Sequence, residues 1–120
     1  MLVVVSSGCS PTSIEKAYGT YVATYPFGTD TVILNPDGSV VQQIVVTNDS
    51  PPAIINGHWR FDSSNGYVTF DVYLSADDGF GKLNSKWRIP HQGSAASLPI
   101  EQLFLRTIMG SGAQHPYVKQ

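Results

Sequence analysis

Two alternating segments joined by a turn constrain the fold of this chain more than any other feature. Apolar and polar residues alternate from Ile54 to Asp62, residues 63–66 are turn formers, and the alternation resumes from Tyr67 to Ser75. A period of two residues on both sides of a turn predicts an antiparallel β-hairpin. Its predicted inward face carries Ile55, Gly57, Trp59, Phe61, Val68, Phe70, Val72 and Leu74. Its predicted outward face carries Asn56, His58, Arg60, Asp62, Tyr67, Thr69, Asp71 and Tyr73.

The same alternation recurs along the rest of the chain. Further strands are predicted over residues 19–25, 31–34, 39–47, 82–89 and 117–119. The segment Asn35-Pro36-Asp37-Gly38 is the strongest turn signal between two of them, because proline presets φ and glycine accepts a positive φ. Residues 91–97, which are rich in glycine, serine and alanine, are predicted to form a loop. Residues 99–109 fit a strand or a helix, and the strand is favoured because the preceding pattern is β.

Short strands with turn signals between them predict an all-β fold. We expect an antiparallel meander that forms a small β-barrel, either complete or incomplete. A chain of 120 residues is long enough for one hydrophobic core. We therefore assign residues 17–120 to a single β domain and residues 1–16 to a signal remnant or flexible N-terminal tail.

The charge balance and hydropathy limit the class of partner. Charged residues make up 13% of the chain, and the formal net charge is -2 at pH 7. Nucleic-acid affinity depends on basic residues that neutralise phosphates, so a nucleic-acid partner is not expected. No apolar run approaches the roughly 20 residues that a membrane-spanning helix needs, so no transmembrane helix is expected.

The single cysteine, Cys9, excludes an internal disulfide bond. It follows the apolar and small residues 2–8, which resemble the lipobox of bacterial lipoproteins, where the cysteine becomes the lipidated N-terminus. Ser6 replaces the usual aliphatic residue, and no basic residue precedes the apolar stretch, so the match implies a start upstream of Met1. The resemblance implies an extracytoplasmic protein with a lipid anchor at Cys9, and the alternative is a frayed N-terminus. Membrane partition abolished by Cys9→Ser would support the anchor, and equal soluble amounts of both forms would contradict it.

Three segments resemble the lipocalin-like, or calycin-like, domains of small secreted bacterial proteins. They are Gly19-Thr20-Tyr21, Asn35-Pro36-Asp37-Gly38 and Gly57-His58-Trp59-Arg60-Phe61. The resemblance covers residues 18–89 and implies a full or partial antiparallel barrel that is often lipid-anchored, although Tyr21 replaces the tryptophan usual in lipocalins. A second likeness lies near the C-terminus, where Ser111-Gly112-Ala113, Tyr117 and Lys119 resemble a loop of bacterial lipoprotein lysozyme inhibitors. Those inhibitors carry disulfides that a chain with one cysteine cannot form.

The sequence contains no motif for catalysis or for cofactor binding. His58, His91 and His115 lack the spacing that places two imidazoles on one metal ion. Neither a Gly-x-Ser-x-Gly elbow nor a phosphate-binding glycine loop is present. We therefore expect a non-enzymatic protein with no cofactor and no metal site.

Aromatic and basic residues supply the candidate binding sites. Core packing is the first explanation for the aromatic residues on inward faces, and an open barrel mouth would turn them toward an apolar ligand. These aromatic candidates are Tyr21, Tyr25, Trp59 and Trp87. The basic candidates, on the predicted outward face and suited to an acidic or carbohydrate partner, are Arg60, Lys86 and Arg88.

The predicted function is binding of a small ligand or a protein partner outside the cytoplasm. The alternative is an inhibitor or immunity-type protein that blocks a hydrolase through the exposed loop of residues 110–116. A ligand cavity lined by the inward aromatic residues would favour the first hypothesis. A filled interior with a projecting, ordered loop would favour the second.

Overall fold

Eight strands close into one antiparallel barrel in the computed structural model, which describes residues 14–46, 51–76, 94–103, 106–110 and 115–120. Each strand pairs with the next along the chain, and the last pairs with the first. The all-β meander is therefore confirmed, and the barrel is complete. Its elements are η1 (Ile14–Lys16), β1 (Gly19–Tyr25), β2 (Gly28–Leu34), β3 (Ser39–Val46), β4 (Ala53–Asp62), β5 (Tyr67–Tyr73), β6 (Ser94–Leu103), β7 (Arg106–Met109) and β8 (Tyr117–Lys119).

The hairpin of β4 and β5 forms in the predicted register. Phe61 pairs with Val68, and Trp59 pairs with Phe70. Val68 and Phe70 are buried, whereas Asp71, on the opposite face of the same strand, is exposed. Because side chains alternate across a strand, this one register places all the predicted inward residues up to Phe70 in the barrel interior.

The outward orientation predicted for Tyr73 is wrong. The pairing of β5 with β6 shifts register between Phe70 and Tyr73, as a β-bulge does. The extra residue interrupts the alternation, and the Tyr73 ring stacks on Phe70 at 5.4 Å between centroids and packs against the core. Leu74 remains buried, as predicted.

The structure has strands within residues 99–109, where the sequence left a strand and a helix open. The strand interpretation is confirmed by β6 and β7, and the loop predicted over residues 91–97 is wrong for residues 94–97, which belong to β6. Several other predictions lie outside the described residues: the tail of residues 1–13 with Cys9, and the strand of residues 82–89 with Lys86, Trp87 and Arg88.

The two ends of the barrel differ in how the strands are joined. At one end, which we term the tight-turn end, β2 joins β3 through residues 35–38 and β4 joins β5 through residues 63–66. At the other, the long-connection end, β3, β5 and β7 are joined to the following strands by residues 47–52, 74–93 and 110–116. The larger core cluster reaches from Trp59 and Tyr21 at the tight-turn end to Tyr117. A smaller cluster of Ile44, Ala53, Leu74 and Ala76 lies at the long-connection end.

The described helical segment does not suggest a membrane span. Within residues 14–46, 51–76, 94–103, 106–110 and 115–120, no helix has the length and apolar character needed to cross a bilayer.

Candidate ligand-binding groove

A groove runs along the outer surface of β1 and β8 beside the start of β7. Tyr117 points into the barrel, so its neighbour Val118 points outward, where it pairs with Val22 of β1 and Ile108 of β7. The groove encloses about 510 Å³. It is lined by Val22, Thr24, Arg106, His115, Pro116, Val118, Lys119 and Gln120.

Both charged residues that line this groove are cations. The Arg106 side chain is exposed and makes no hydrogen bond or ion pair with any part of the chain that the structure describes. The Lys119 Nζ donates to the Lys16 carbonyl at 3.0 Å, and partial burial lowers the pKa of its ammonium. No described lining residue has a carboxylate side chain, so the lining side chains carry an excess of positive charge in a chain whose net charge is -2.

Gly19 allows Lys119 to lie across the first strand. A Cβ atom at Gly19 would approach Lys119 Cε to 2.6 Å, and the φ angle of 143° disfavours any other residue. The glycine of the Gly19-Thr20-Tyr21 segment therefore makes room for one of the two groove cations.

Aromatic rings extend the groove toward the long-connection end. The His115 imidazole, which lines the groove, lies 4.7 Å from the Tyr25 ring, centroid to centroid. Tyr25 in turn stacks on Phe27 at 4.9 Å with an interplanar angle of 14°. Of the three predicted aromatic ligand-binding residues that the structure describes, Tyr25 is thus the one that lies beside this groove.

A buried polar network holds the strand that forms one wall of the groove. The Tyr117 hydroxyl donates to Asp30 Oδ2, and it also pairs with the Tyr73 hydroxyl at 2.8 Å. Burial, assisted by the negative charge of Asp30, raises the pKa of the Tyr117 phenol well above its usual range. Because Tyr117 lies between two groove residues, Pro116 and Val118, these bonds fix the backbone that presents them.

Gln42 also belongs to this network and links it by hydrogen bonds to the start of the connection from β5 to β6. Its side-chain Nε2 lies 3.2 Å from both carboxylate oxygens of Asp30 and donates to the Leu74 carbonyl at 2.8 Å. Its Oε1 accepts from the Leu74 amide at 2.8 Å. The amide group of Gln42 therefore fixes the position of Leu74, where the connection from β5 to β6 begins.

The other described aromatic candidates lie in the core. Tyr21 is fully buried, its hydroxyl donates to the Ala17 carbonyl, and burial raises its pKa above the usual tyrosine range. Trp59 is 5% exposed, and its Nε1 donates to the Asn35 carbonyl at 2.8 Å. Both side chains are explained by packing and by a hydrogen bond to the backbone.

Arg60 lies on the outward face of β4, beside a second and smaller depression of about 280 Å³. The prediction that His58 and Arg60 neighbour Thr69 and Asp71 is confirmed: Arg60 pairs with Thr69, and His58 Nδ1 lies 3.1 Å from Asp71 Oδ2. The His58 amide also donates to Asp71 at 2.7 Å, and this backbone hydrogen bond is the main cause of the lowered Asp71 pKa. The smaller depression is lined by the cation Arg60 and the anion Asp71, so it does not favour a ligand of one charge.

The sequence does not indicate either groove cation as a ligand-binding residue, although Lys119 belongs to the segment that resembles a loop of lysozyme inhibitors. Arg106 falls in the segment whose helix or strand character was open, so its face could not be assigned, and Lys119 sits in a strand of three residues. His115 had been considered only as a metal ligand and as part of the loop of residues 110–116. The pairing of β8 with both β1 and β7 brings these residues together, and that pairing leaves no local signal in the sequence.

Comparison of the chain with protein-family models, with curated proteins and with solved structures found no match. The closed antiparallel barrel agrees with the fold that the lipocalin-like resemblance implied, and membership of that family stays a prediction. The three resembling segments have structural roles in the barrel. Two of them, the turn of residues 35–38 and the segment of residues 57–61, are joined by two hydrogen bonds from Trp59. Its Nε1 donates to the Asn35 carbonyl, and its backbone amide donates to the Gly38 carbonyl at 2.9 Å.

Proposed function

We propose that this protein is a non-enzymatic, extracytoplasmic binding domain whose groove on β1, β7 and β8 binds a small organic anion. The observation that carries the proposal is that Arg106 and Lys119 both line this groove and that no described lining residue has a carboxylate side chain. The extracytoplasmic setting rests on the sequence around Cys9.

The lining residues indicate the chemistry of the ligand. The guanidinium of Arg106 can donate two parallel hydrogen bonds to a carboxylate or phosphate, and it has no described partner that competes for them. Lys119 adds a point charge, while Val22, Pro116 and Val118 provide apolar contact for the body of the ligand. The volume of 510 Å³ falls in the range of small-molecule sites, so a compact organic anion fits better than a polymer.

Titration of the isotopically labelled protein with benzoate, citrate and inorganic phosphate, followed by NMR, tests the proposal. We expect amide shifts at Val22 and Val118 with at least one of the three anions. Arg106→Gln should weaken that binding about tenfold, which corresponds to about 1.4 kcal/mol. Arg60→Gln is the matched control, because it removes the same charge from the outward face of β4 and should leave the affinity unchanged.

Two results would contradict the proposal. One is the absence of shifts at the groove with all three anions, and the other is equal binding by the wild type and Arg106→Gln. The alternative hypothesis of a hydrolase inhibitor requires a projecting loop at residues 110–116. Residues 111–114 of that loop lie outside the described residues, and its described ends, Gly110 and His115, contact the Pro99 carbonyl and the Tyr25 ring.

A further inference from the structure

The outward face of β2, β3 and the first half of β4 carries no charged residue. The inward residues of these strands are buried, so the alternating positions between them face outward. Three cross-strand rows cover the surface, and Thr31, Gln43 and Ile54 form the central one. We call this surface the neutral face, and it consists of Thr29, Thr31, Ile33, Val41, Gln43, Val45, Ile54 and Asn56.

The neutral face exposes large apolar side chains. Ile54 is 52% exposed and Val45 is 40% exposed. Charged or titratable side chains begin farther along the same strand, at His58, Arg60 and Asp62. An uncharged centre with charges outside it is the composition of the buried part of a protein interface, where charged residues are depleted.

Each group on the neutral face can pair with a copy of itself. Methyl groups of valine, isoleucine and threonine bury against one another, threonine hydroxyls both donate and accept, and the amides of Gln43 and Asn56 do the same. A carboxylate facing a carboxylate, or an ammonium facing an ammonium, would instead repel. The surface is therefore complementary to itself in charge and in hydrogen bonding, as the isologous interface of a twofold dimer must be.

We propose that the neutral face binds a second copy of this chain, so that two barrels pack face to face. The strands of this face pair with one another from β2 through β3 to the first half of β4, so the contact that we propose is between sheet faces. This arrangement keeps the exposed carboxylates of Asp37, Asp62 and Asp71 outside the contact, because they lie at the tight-turn end and on β5. Two chains that each carry a net charge of -2 thus meet where neither is charged.

The size of the face indicates a weak dimer. A standard interface uses roughly 20–30 residues on each side, and the neutral face supplies the eight residues named above. We expect a dissociation constant of roughly 10 to 1000 µM, with little dependence on salt because the contact contains no charges.

Sedimentation of the full chain from about 10 µM to about 1 mM, at low and high salt, tests the inference. The wild type should shift from monomer to dimer over this range. Ile54→Lys and Val45→Lys should each weaken association about tenfold or more, because each puts a cation into an uncharged contact that offers it no anionic partner. Ser63→Lys is the matched control, since it adds the same charge at an exposed position in the turn between β4 and β5.

Thermal unfolding of each variant shows whether the barrel still forms, as the outward side chains of Ile54 and Val45 lead us to expect. A wild type that stays monomeric at the highest concentration would overturn the inference. So would dimerisation that both lysine substitutions leave unchanged, because the contact would then lie on another surface.

Discussion

The two ends of the barrel are closed by different chemistry. At the tight-turn end, the polar atoms of buried aromatic side chains bond to backbone carbonyls: Trp59 Nε1 to Asn35 and the Tyr21 hydroxyl to Ala17. At the long-connection end, the buried polar atoms bond mainly to other side chains. The Asp30 carboxylate there accepts hydrogen bonds from the Tyr117 hydroxyl and the Gln42 side-chain amide. One end relies on apolar burial, and the other on a polar network around a buried carboxylate.

The two ends differ in what their buried hydrogen bonds do: those at the tight-turn end stabilise the fold, and those at the long-connection end also lie next to the proposed binding site. A backbone carbonyl near a turn is fixed by the turn itself, so the bond from Trp59 adds to a site that is already in place. A fully buried carboxylate such as Asp30 is costly to remove from water and depends on every one of its partners. The network lies directly behind the groove wall at Tyr117. The free-energy cost of burying the Asp30 carboxylate therefore arises next to the proposed binding site.

The largest expected effect is at the tight-turn end. Trp59→Ala removes a side chain that is 5% exposed and leaves a cavity among residues of the larger core cluster. We expect a loss of about 4 kcal/mol in the free energy of unfolding, measured by urea denaturation. Trp59→Phe keeps most of the apolar volume and loses the hydrogen bond to Asn35, so it should cost about 1–2 kcal/mol. Equal losses from the two variants would mean that the hydrogen bond, and not apolar burial, closes this end.

The next expected effect compares one hydroxyl at each end. Tyr117→Phe removes one hydrogen-bond donor to the Asp30 carboxylate and should cost about 2 kcal/mol, since hydrogen bonds to charged groups are the stronger ones. Tyr21→Phe removes a bond to the Ala17 carbonyl and should cost about 1 kcal/mol. Both changes delete a single oxygen atom from a buried ring. The difference between their urea midpoints therefore measures how much stronger a hydrogen bond to the Asp30 carboxylate is than one to the Ala17 carbonyl.

A larger loss of unfolding free energy from Tyr21→Phe than from Tyr117→Phe would contradict this account of the two ends.

NMR spectra of the Tyr117→Phe variant add a second readout. The amide signals of Val22 and Val118 in the groove should shift, while those of the turn at residues 63–66 should not. An unchanged groove would show that the network does not position the wall.

The hairpin of β4 and β5 was predictable because its signals are local. Its apolar residues recur with a period of two, and its turn residues accept the required backbone angles, so strand, register and buried face follow from the segment alone. Tyr73 departs from this pattern because the bulge depends on how β5 pairs with β6. The first residues of β6 were missed for a similar reason: glycine, serine and alanine favour strands weakly, and pairing of Ala96 with Phe70 decides their conformation.

The groove could not be predicted because it joins the two ends of the chain. Val22 and Val118 meet only when β8 closes the barrel against β1, and no local pattern in β8 or around Arg106 indicates that pairing. The aromatic candidates were chosen by chemical type. Two of the three that the structure describes, Tyr21 and Trp59, are core residues, and burial is what an inward alternating position implies.

The smallest expected effect is the pH dependence of the tight-turn end. Asp37 and Asp62 are exposed, and hydrogen bonds from the Ser39 and Ser64 hydroxyls are the main cause that lowers the pKa of each carboxyl below its ordinary value of 3.8. A carboxyl whose folded pKa is depressed binds fewer protons in the folded state than in the unfolded state. It therefore adds stability above the unfolded value, and that stability is lost as the pH falls through the folded pKa.

The variant Asp37→Asn with Asp62→Asn keeps an acceptor oxygen at each turn but cannot titrate. We expect the melting temperature of the wild type to exceed that of the double variant slightly at pH 7, and the two to converge as the pH falls below 3.8, the ordinary aspartate value. All other carboxyl groups are the same in both proteins, so their contribution cancels in the difference. Melting curves from neutral pH downward measure this difference directly. A gap that stays constant through the acid range would show that the two turns gain nothing from their charge, and that the ends of the barrel differ in the buried carboxylate alone.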